Sequence, residues 1–576
     1  MRLSLVKSKN TTQFYVIKSY RNKNGKNTSK IVEKLGNIEE VKQKANGEDP
    51  IKWAKKYIEY LNEQEKKEEN DIIIRKSQTN IIEKNNQNLF NCGYFFLEKI
   101  YYDLKLDKIC EDITKKYKFK YDLNSILSRL IYGRIIFPSS KLAINELSKK
   151  FIEPPNFELQ HIYRALEVIA KENDYIQSEL YKNSIKVAER NTNILYYDCT
   201  NYFFEIEEAS GLRQYGPSKE HRPNPITQMG LFMDGDGFPL AFNITAGNTN
   251  EQITLTPLEE KIMKDFELSK FIVCTDAGLA SNSNREFNNK DKRAFITTQS
   301  IKKLKKHLKE WALDTKGWHL EDDKKEYDIS KLEKDEESSK ANYNKIFYKQ
   351  CWIKENGLEQ SLIITYSLKY KNYQLKIRNA QIERARKAIQ NNSTKIDKCN
   401  QNDYKRFILK TSVTEEGEVA ENKIYTINQE VITEEEKYDG FYGVCTNLEG
   451  KVEDIIKINQ RRWEIEESFR IMKSEFKARP VYLSRDDRIQ AHFMTCFIAL
   501  LIHRILEKKL DEKYTCEEII NSLRDMNLMH IDEENYIPAY TRTDLTDKLH
   551  EIYGFRTDYE IMGEKKIKRI FKDLKK

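Results

Sequence analysis

The 576-residue chain has nine cysteines but no CxxC pair and no cluster of cysteine with histidine. That excludes a structural zinc site of the usual ligand spacing. Cysteines scattered singly through a chain of this size fit a reducing compartment. The N-terminus lacks the apolar stretch of a signal peptide, and no uninterrupted run of about 18 apolar residues marks a membrane span. The expectation is a soluble cytoplasmic protein with no membrane partner. No internal repeat is visible, and no glycine-rich phosphate loop ends in a lysine, so a nucleoside triphosphate is not called for.

What is present is apolar enough to fold. Apolar residues make up 39%, with 33 Tyr and 26 Phe, so wholesale disorder is excluded. At about 100–200 residues per domain, three or four domains are expected. The net charge is only +8, from 99 basic and 91 acidic residues. It is concentrated at the ends. Residues 1–30 carry eight basic groups (Arg2, Lys7, Lys9, Lys18, Arg21, Lys23, Lys26, Lys30) and no acid, and Glu564 to Lys576 carries seven basic and two acidic groups. Basic ends on a balanced body point to a polyanionic partner.

Residues 13–35 read as a hairpin turning at Asn24-Gly25. A helix opens at Asp49-Pro50, with Ile51, Ala54, Ile58 and Leu61 on one face. A solvated linker closes this first segment, 1–90. Residues 91–192 read as all-helical, with Asp122 as a cap and Pro138 as a stop, and three short helices there resemble a DNA reader or an ordinary packed bundle. From 193 the pattern becomes strand-rich: Ile194–Tyr197, Met229–Met233, Phe238–Ile244, Phe271–Cys274 and Ala294–Ile296. A hairpin signal lies at Asp234-Gly235-Asp236-Gly237, and Thr256 to Glu259 reads as a capping box. The order predicts an α/β fold with a mixed sheet over 193–299 and 441–510. It is interrupted by a mainly β insertion over 300–440 and followed by a basic helical tail over 511–576. The long helix from Arg462 to Phe476 and an apolar helix from Phe493 to Leu506 close the second half.

Asp198 follows the apolar run Leu195-Tyr196-Tyr197, and Asp276 follows Ile272-Val273-Cys274-Thr275. Functional groups of α/β sheets gather at such strand ends. Two neighbouring carboxylates repel unless a cation lies between them, and hard oxygen donors suit Mg²⁺ or Mn²⁺. Read singly, each Asp is also an ordinary turn former. Arg462, Glu466 and Lys473 add a third element. At about 100° per residue, Glu466 lies about 40° and Lys473 about 20° from Arg462. Beside that stripe run Ile465, Phe469, Met472 and Phe476. The pattern is either a functional edge or an exposed ion pair. Trp463, at the start of the helix, reads as core packing ahead of a base-stacking platform.

These residues resemble the DDE transposases of bacterial insertion sequences, in the insertion-sequence-four superfamily and its branch with a long β insertion. Asp198 in Tyr-Tyr-Asp-Cys-Thr, Asp276 in Thr-Asp-Ala-Gly-Leu and Glu466 in Arg-Trp-Glu-Ile-Glu fit the three catalytic positions. Arg462, Glu466 and Lys473 match the Tyr–Arg–Glu–Lys signature of the glutamate helix, with Asn459 in the tyrosine's place. Gly216 to Pro223 and Gly237 to Leu240 agree as well. The resemblance implies an RNase H-like core and two Mg²⁺ ions, replaceable by Mn²⁺, held by Asp198, Asp276 and Glu466. It implies DNA contacts from Arg462, Lys473, Lys219, His221, Arg222 and Asn459. It further implies cleavage at terminal inverted repeats, strand transfer into target DNA, and a homodimer that pairs the two ends. The rivals are a two-metal nuclease that cuts without joining and an inactive DNA-binding descendant.

Overall fold

The computed structural model describes residues 1–7, 11–21, 27–70, 77–79, 81–391, 403–413, 419–531 and 535–576. The chain divides into two units, Met1–Asn86 and Gln87–Lys576.

In the first unit, the expected hairpin is the larger part of a three-stranded antiparallel sheet. Arg2–Lys7 pairs with Thr12–Arg21, which pairs with Asn27–Asn37. The Asn24-Gly25 turn lies outside the described residues. Asp49 caps the helix Pro50–Asn70 as expected, accepting from the backbone N–H of Ile51 and Lys52 at 3.0 and 2.9 Å. Phe14, Val16, Leu35, Val41, Ala54 and Ile58 form a small separate core.

The second unit is built on one ten-stranded sheet. Its strands are β1 (Ile194–Phe203), β2 (Ile226–Asp234), β3 (Pro239–Ala246), β4 (Ile272–Thr275), β5 (Ala294–Thr298), β6 (Trp318–Leu320), β7 (Asp323–Tyr327), β8 (Phe347–Glu355), β9 (Leu358–Tyr366) and β10 (Phe441–Thr446). They lie in the order β7-β6-β8-β9-β10-β5-β4-β1-β2-β3. β4 is parallel to both β1 and β5, and the remaining pairs are antiparallel. The mixed sheet is as expected. The insertion is divided: β6 to β9 extend the central sheet, and after a 23-residue helix, Leu368–Gln390, a separate two-stranded sheet pairs Ile408–Val413 with Val419–Ile427. The run Leu368 to Ile389 has no clean apolar stripe, so helical periodicity did not announce it.

Alternation along β1 assigns its two faces. Tyr197 and Cys199 pack with Leu258 and Ile262 of α1 (Leu255–Asp265). Tyr196 and Tyr202 join the large core around α3 (Asp486–Lys509). That helix has the length and hydropathy of a membrane span, but 94% of its most apolar stretch is buried inside the fold; it is the central strut. The helix Leu123–Ile136 packs on it and is buried at twelve positions. The basic tail is docked: Ile567, Ile570 and Leu574 of its helix Glu564–Leu574 are buried, and Lys575 pairs with Glu153 at 2.8 Å.

The capping box at Thr256 and Glu259 does not form, because α1 begins at Leu255 and Thr256 lies inside its first turn. Glu259 turns inward instead and accepts from Asn288 Nδ2 at 2.9 and 3.0 Å. Burial pushes its carboxyl up to about 8, outweighing the Asn288 bond. Asn288 Oδ1 is buried with no donor, so a protonated Glu259, or a glutamine, has an acceptor waiting. The stability this group contributes is full below the unfolded carboxyl's pKa of about 4.3 and is lost as pH rises through about 8. Glu259→Gln should therefore melt close to the parent in mild acid and above it at alkaline pH. Equal melting at both pH values in a thermal scan would refute this.

Candidate active site

β1 and β4 pair in parallel with Tyr196 opposite Cys274. Asp198 and Asp276 each follow two residues beyond that last pair, at the same end of the two neighbouring strands. Asp276 sits just past the end of β4, as expected. Asp198 does not end its strand: β1 runs on to Phe203, hydrogen-bonded to β2 throughout. The apolar run ended at Tyr197, but Cys199, Tyr202 and Phe203 remain buried against β2, so the strand continues. The position is still an edge, because the parallel neighbour stops there.

Each aspartate is anchored by its own backbone. Asp198 Oδ1 accepts from the N–H of Cys199 at 2.7 Å, and Asp276 Oδ1 accepts from the N–H of Leu279 at 3.0 Å. Burial pushes the Asp198 carboxyl up to about 6; Lys219 opposes the rise and Asp276 adds to it. The two carboxylates therefore sense one another.

Period-2 alternation places Tyr196, Asp198, Thr200 and Tyr202 on one face, and the glutamate segment packs there. Tyr196 Oη donates to the carbonyl of Ile458 at 2.9 Å, and Lys473 Nζ donates to Thr200 Oγ1 at 2.6 Å. α2 (Trp463–Arg470) opens at Arg462. The Arg462 guanidinium is desolvated by burial, yet Tyr442, Cys274, Asp198 and Asp276 together raise its pKa. Its Nη2 lies 3.7 Å from Glu466 Oε1, so one arginine lies beside the glutamate and within the field of both aspartates. Glu466 is 62% exposed and free to rotate.

The expected continuous helix to Phe476 breaks. Residues Ile471–Glu475 form a π turn, so Lys473 is not carried by α-helical spacing from Arg462. It reaches β1 all the same, held 3.6 Å from Glu220 and over the Tyr202 ring at 5.5 Å. Burial and Lys219 hold its ammonium down to about 8. Such turns recur at functional sites. Lys473→Met should leave the melting temperature unchanged or raise it, since it removes a partly desolvated charge. A large fall in a thermal scan would make Lys473 structural.

The loop Gly216 to Pro223 folds over the second half of β1. Asn201 Nδ2 donates to the carbonyl of Pro217 at 3.1 Å. Gly216 lies so close to the Gly247 carbonyl that a Cβ would collide with it. Lys219 reaches the Cys199 carbonyl and lies 3.3 Å from Glu251; burial lowers its pKa, but Asp198 and Glu251 outweigh that. Arg222 stacks over Phe203 at 4.1 Å, and His221 holds the left-handed corner of the loop at φ +55. Lys219 thus stands at the carboxylates, and Arg222 and His221 lie further along the loop. Asn459 is buried, accepting from Cys274 Sγ at 3.7 Å.

Trp463 corrects the packing expectation: it is 57% exposed. With Tyr370, Tyr373 and Tyr442 it lines a cavity of about 660 Å³ that also meets Arg462 and Glu466. The helix Leu368–Gln390, which supplies two of those tyrosines, carries seven basic residues against the single acid Glu383. Thr200, Glu220 and the two tyrosines were not singled out from sequence. Thr200 was within reach, two residues from Asp198 on the same strand face; Glu220 and the tyrosines needed the tertiary fold.

All donors at the Asp198–Asp276–Glu466 site are carboxylate oxygens, the set that hard divalent cations prefer. Among the described residues, the one group of three possible ligand atoms within 4.8 Å of one another is Asp547, His550 and Asp558. There Arg542 and Arg556 already neutralise the acids, with Arg542 Nε 2.8 Å from Asp547 and Arg556 Nη2 2.5 Å from each aspartate. Asp198, Asp276 and Glu466 are more widely spread, so Glu466 must swing off Arg462 for one ion to reach all three. Its exposure allows that, and the residues fit a divalent ion.

A family model described as a transposase DDE domain matches residues 204–502, just over half of the chain. The match begins six residues after Asp198 and includes Asp276 and Glu466. No curated protein matches the chain at a significant level. Among solved structures, a piggyBac transposase synaptic complex with hairpin DNA is similar at 8% identity, covering 84% of each chain with a TM-score of 0.36. A Mos1 transposase paired-end complex with the left transposon end is similar at 10% identity, covering 44% of this chain and 69% of that one, with a TM-score of 0.14. Likenesses this faint carry no argument about this molecule.

Proposed function

The chain belongs to the transposase DDE domain family, and on that premise we propose that it cuts DNA at the ends of a mobile element and joins the freed ends to target DNA at Asp198, Asp276 and Glu466. The observation that carries the reading is that Asp198 and Asp276 each lie two residues beyond the last parallel pair of β1 and β4, and that both act electrostatically on Arg462, which lies 3.7 Å from Glu466. The strand order β3-β2-β1-β4-β5, antiparallel then parallel, supports an RNase H-like core. The insertion over 300–440 supports the insertion-sequence-four branch.

Asp198, Asp276 and Glu466 would hold Mg²⁺, or Mn²⁺ in its place. Bound there, a pair of ions supplies Lewis acidity and a nucleophilic oxygen of lowered pKa for in-line displacement at phosphorus. Asp198 and Asp276 are pre-set by their backbone hydrogen bonds, so little reorganises when charge arrives. Arg462, placed between the carboxylates, holds a phosphate next to the scissile bond, and Lys473 with Lys219 holds it from the β1 side. Asn459, in the last turn of the preceding helix Val452–Gln460, accepts from Cys274 of β4 and lines the cavity beside Arg462 and Glu466, where it would meet the DNA. The basic helix Leu368–Gln390 and the aromatic cavity beside Glu466 suit the approach of the strand itself. Element-end DNA, target DNA and a second copy of the chain are the proposed partners, in the compartment of the bacterial nucleoid.

The test is incubation of the full chain with a plasmid carrying the DNA that flanks its gene, with Mg²⁺ or with EDTA. Ion-dependent cutting at the ends followed by joining supports transposition. Cutting that never joins favours the nuclease, and binding with no cutting favours an inactive descendant.

A further inference from the structure

Beyond the π turn, the chain closes a cavity of about 220 Å³ against the helix Leu123–Ile136 and the N-terminus of α3. Its lining holds Arg134, Lys141, Lys477, Arg479 and His492, and no acidic residue. Lys141 is 5% exposed, and its ammonium is buried with no acceptor. The Ser139 hydroxyl beside it is likewise buried and unpartnered. Arg134 donates from its Nη groups to carbonyls, those of Phe476 at 3.0 Å, Lys477 at 3.3 Å and Ser139 at 3.3 Å, which leave its charge uncompensated, and its Nε is buried without a partner. His492 pairs with the Ala478 carbonyl at 3.1 Å and is held neutral by burial and by Lys141 and Arg134.

A buried, unpaired ammonium beside a guanidinium is costly, and a fold keeps such a pair when something anionic completes it. Burial and Arg134 push the Lys141 ammonium down to about 7. The mouth is suited to a ligand: Tyr482 is 71% exposed there, and Arg479 stands at the rim, paired with Glu220. Glu220 also faces Lys473 at 3.6 Å, so the cavity joins the carboxylate site through one side chain.

We propose that this cavity is a phosphate-binding site, formed by Lys141, Arg134 and Ser139, that seats a backbone phosphate of the bound DNA away from the scissile bond. The assignment of DNA as the source rests on the transposase reading; the preference for phosphate does not. Lys141 donates to the phosphate oxygens from the floor, Ser139 adds a hydroxyl, and Arg134 supplies the second positive charge.

The experiment uses the full chain and Lys141→Met, with inorganic phosphate and a labelled random-sequence duplex as probes. Phosphate should raise the melting temperature of the parent more than chloride at equal ionic strength, and should not do so for Lys141→Met. Duplex affinity should fall on the order of tenfold, and the plot of log affinity against log salt should become shallower by about one. Without ligand, the variant should melt no lower than the parent. A parent that phosphate protects no better than chloride does overturns the site, and that comparison needs no variant. Phosphate protection lost in Lys141→Met with duplex affinity unchanged overturns DNA as the source and leaves free phosphate. Plasmid cleavage is scored separately, so a protein that phosphate protects but that never cuts fails the transposase reading, and with it the ground for DNA as the source, and leaves the phosphate site standing.

Discussion

Asp198→Asn, Asp276→Asn and Glu466→Gln are each expected to lower strand cleavage by about 10⁴-fold or more, while duplex binding changes little. The reason is geometric. Asn keeps an oxygen that accepts from Cys199 N–H at position 198 or Leu279 N–H at position 276, so the turns that place these side chains survive. Glu466 is exposed and held only through Arg462 at 3.7 Å, so its amide costs the fold nothing. What each change removes is a formal charge and one oxygen donor for the ions. Nicking assays should show loss, gel shifts should show retained complex, and thermal scans should show no fall in melting temperature. Ion-dependent cutting retained in any one variant would remove that residue from the site.

The second large effect is on stability. Arg190 and Asp234 form an ion pair withdrawn from water, with side chains 1% and 0% exposed and Nε 2.6 Å from Oδ2. Arg190 also donates to Ser184 Oγ at 2.6 Å and to the carbonyls of Phe238 and Pro239 at 3.3 and 3.0 Å. Asp234 Oδ1 accepts from the N–H of Asp236 and Phe238 at 3.1 and 3.0 Å, closing the turn between β2 and β3. Arg190→Met strands the carboxylate in the interior and should cost about 3–5 kcal/mol. Adding Asp234→Asn removes the stranded charge while keeping an acceptor for the turn, and should recover a substantial share of the loss. Urea titrations followed by tryptophan fluorescence compare the parent, both single variants and the double. If the two losses simply add, the pair is not coupled and the argument fails. A loosened turn also frees β2, whose Leu231 pairs with Asp198, so cleavage should fall with stability.

The strands that carry the two aspartates were readable because burial on both faces leaves near-continuous apolar runs, and Leu195 to Tyr197 and Ile272 to Cys274 are such runs. Two aspartates placed at the ends of those runs followed directly. Where β1 ends did not, because Thr200 and Asn201 look polar and only the pairing with β2 explains their burial. The tie between Arg462 and Glu466 came from i,i+4 spacing, which the first turns of α2 respect. Lys473 was placed by the same rule and reached its target on a different geometry, since nothing in Ile471 to Glu475 announces a wider turn. Trp463 was misjudged for a related reason: its neighbour Ile465 takes the inward direction, which leaves the indole outside. The insertion was recognised by its charge and β-rich pieces, but that its strands would join the existing sheet edge depends on β10 returning from 75 residues beyond β9.

The wide coil at Ile471–Glu475 has a consequence for how this enzyme can vary. Its residues form main-chain hydrogen bonds one residue longer than the rest of the segment. Removing a single codon there would let the coil tighten to ordinary pitch with its apolar residues near their places. Lys473 would be rotated away from Thr200 by the same edit. Single-residue gain or loss at this spot therefore moves Lys473 relative to β1 while Asp198, Asp276 and Glu466 keep their places.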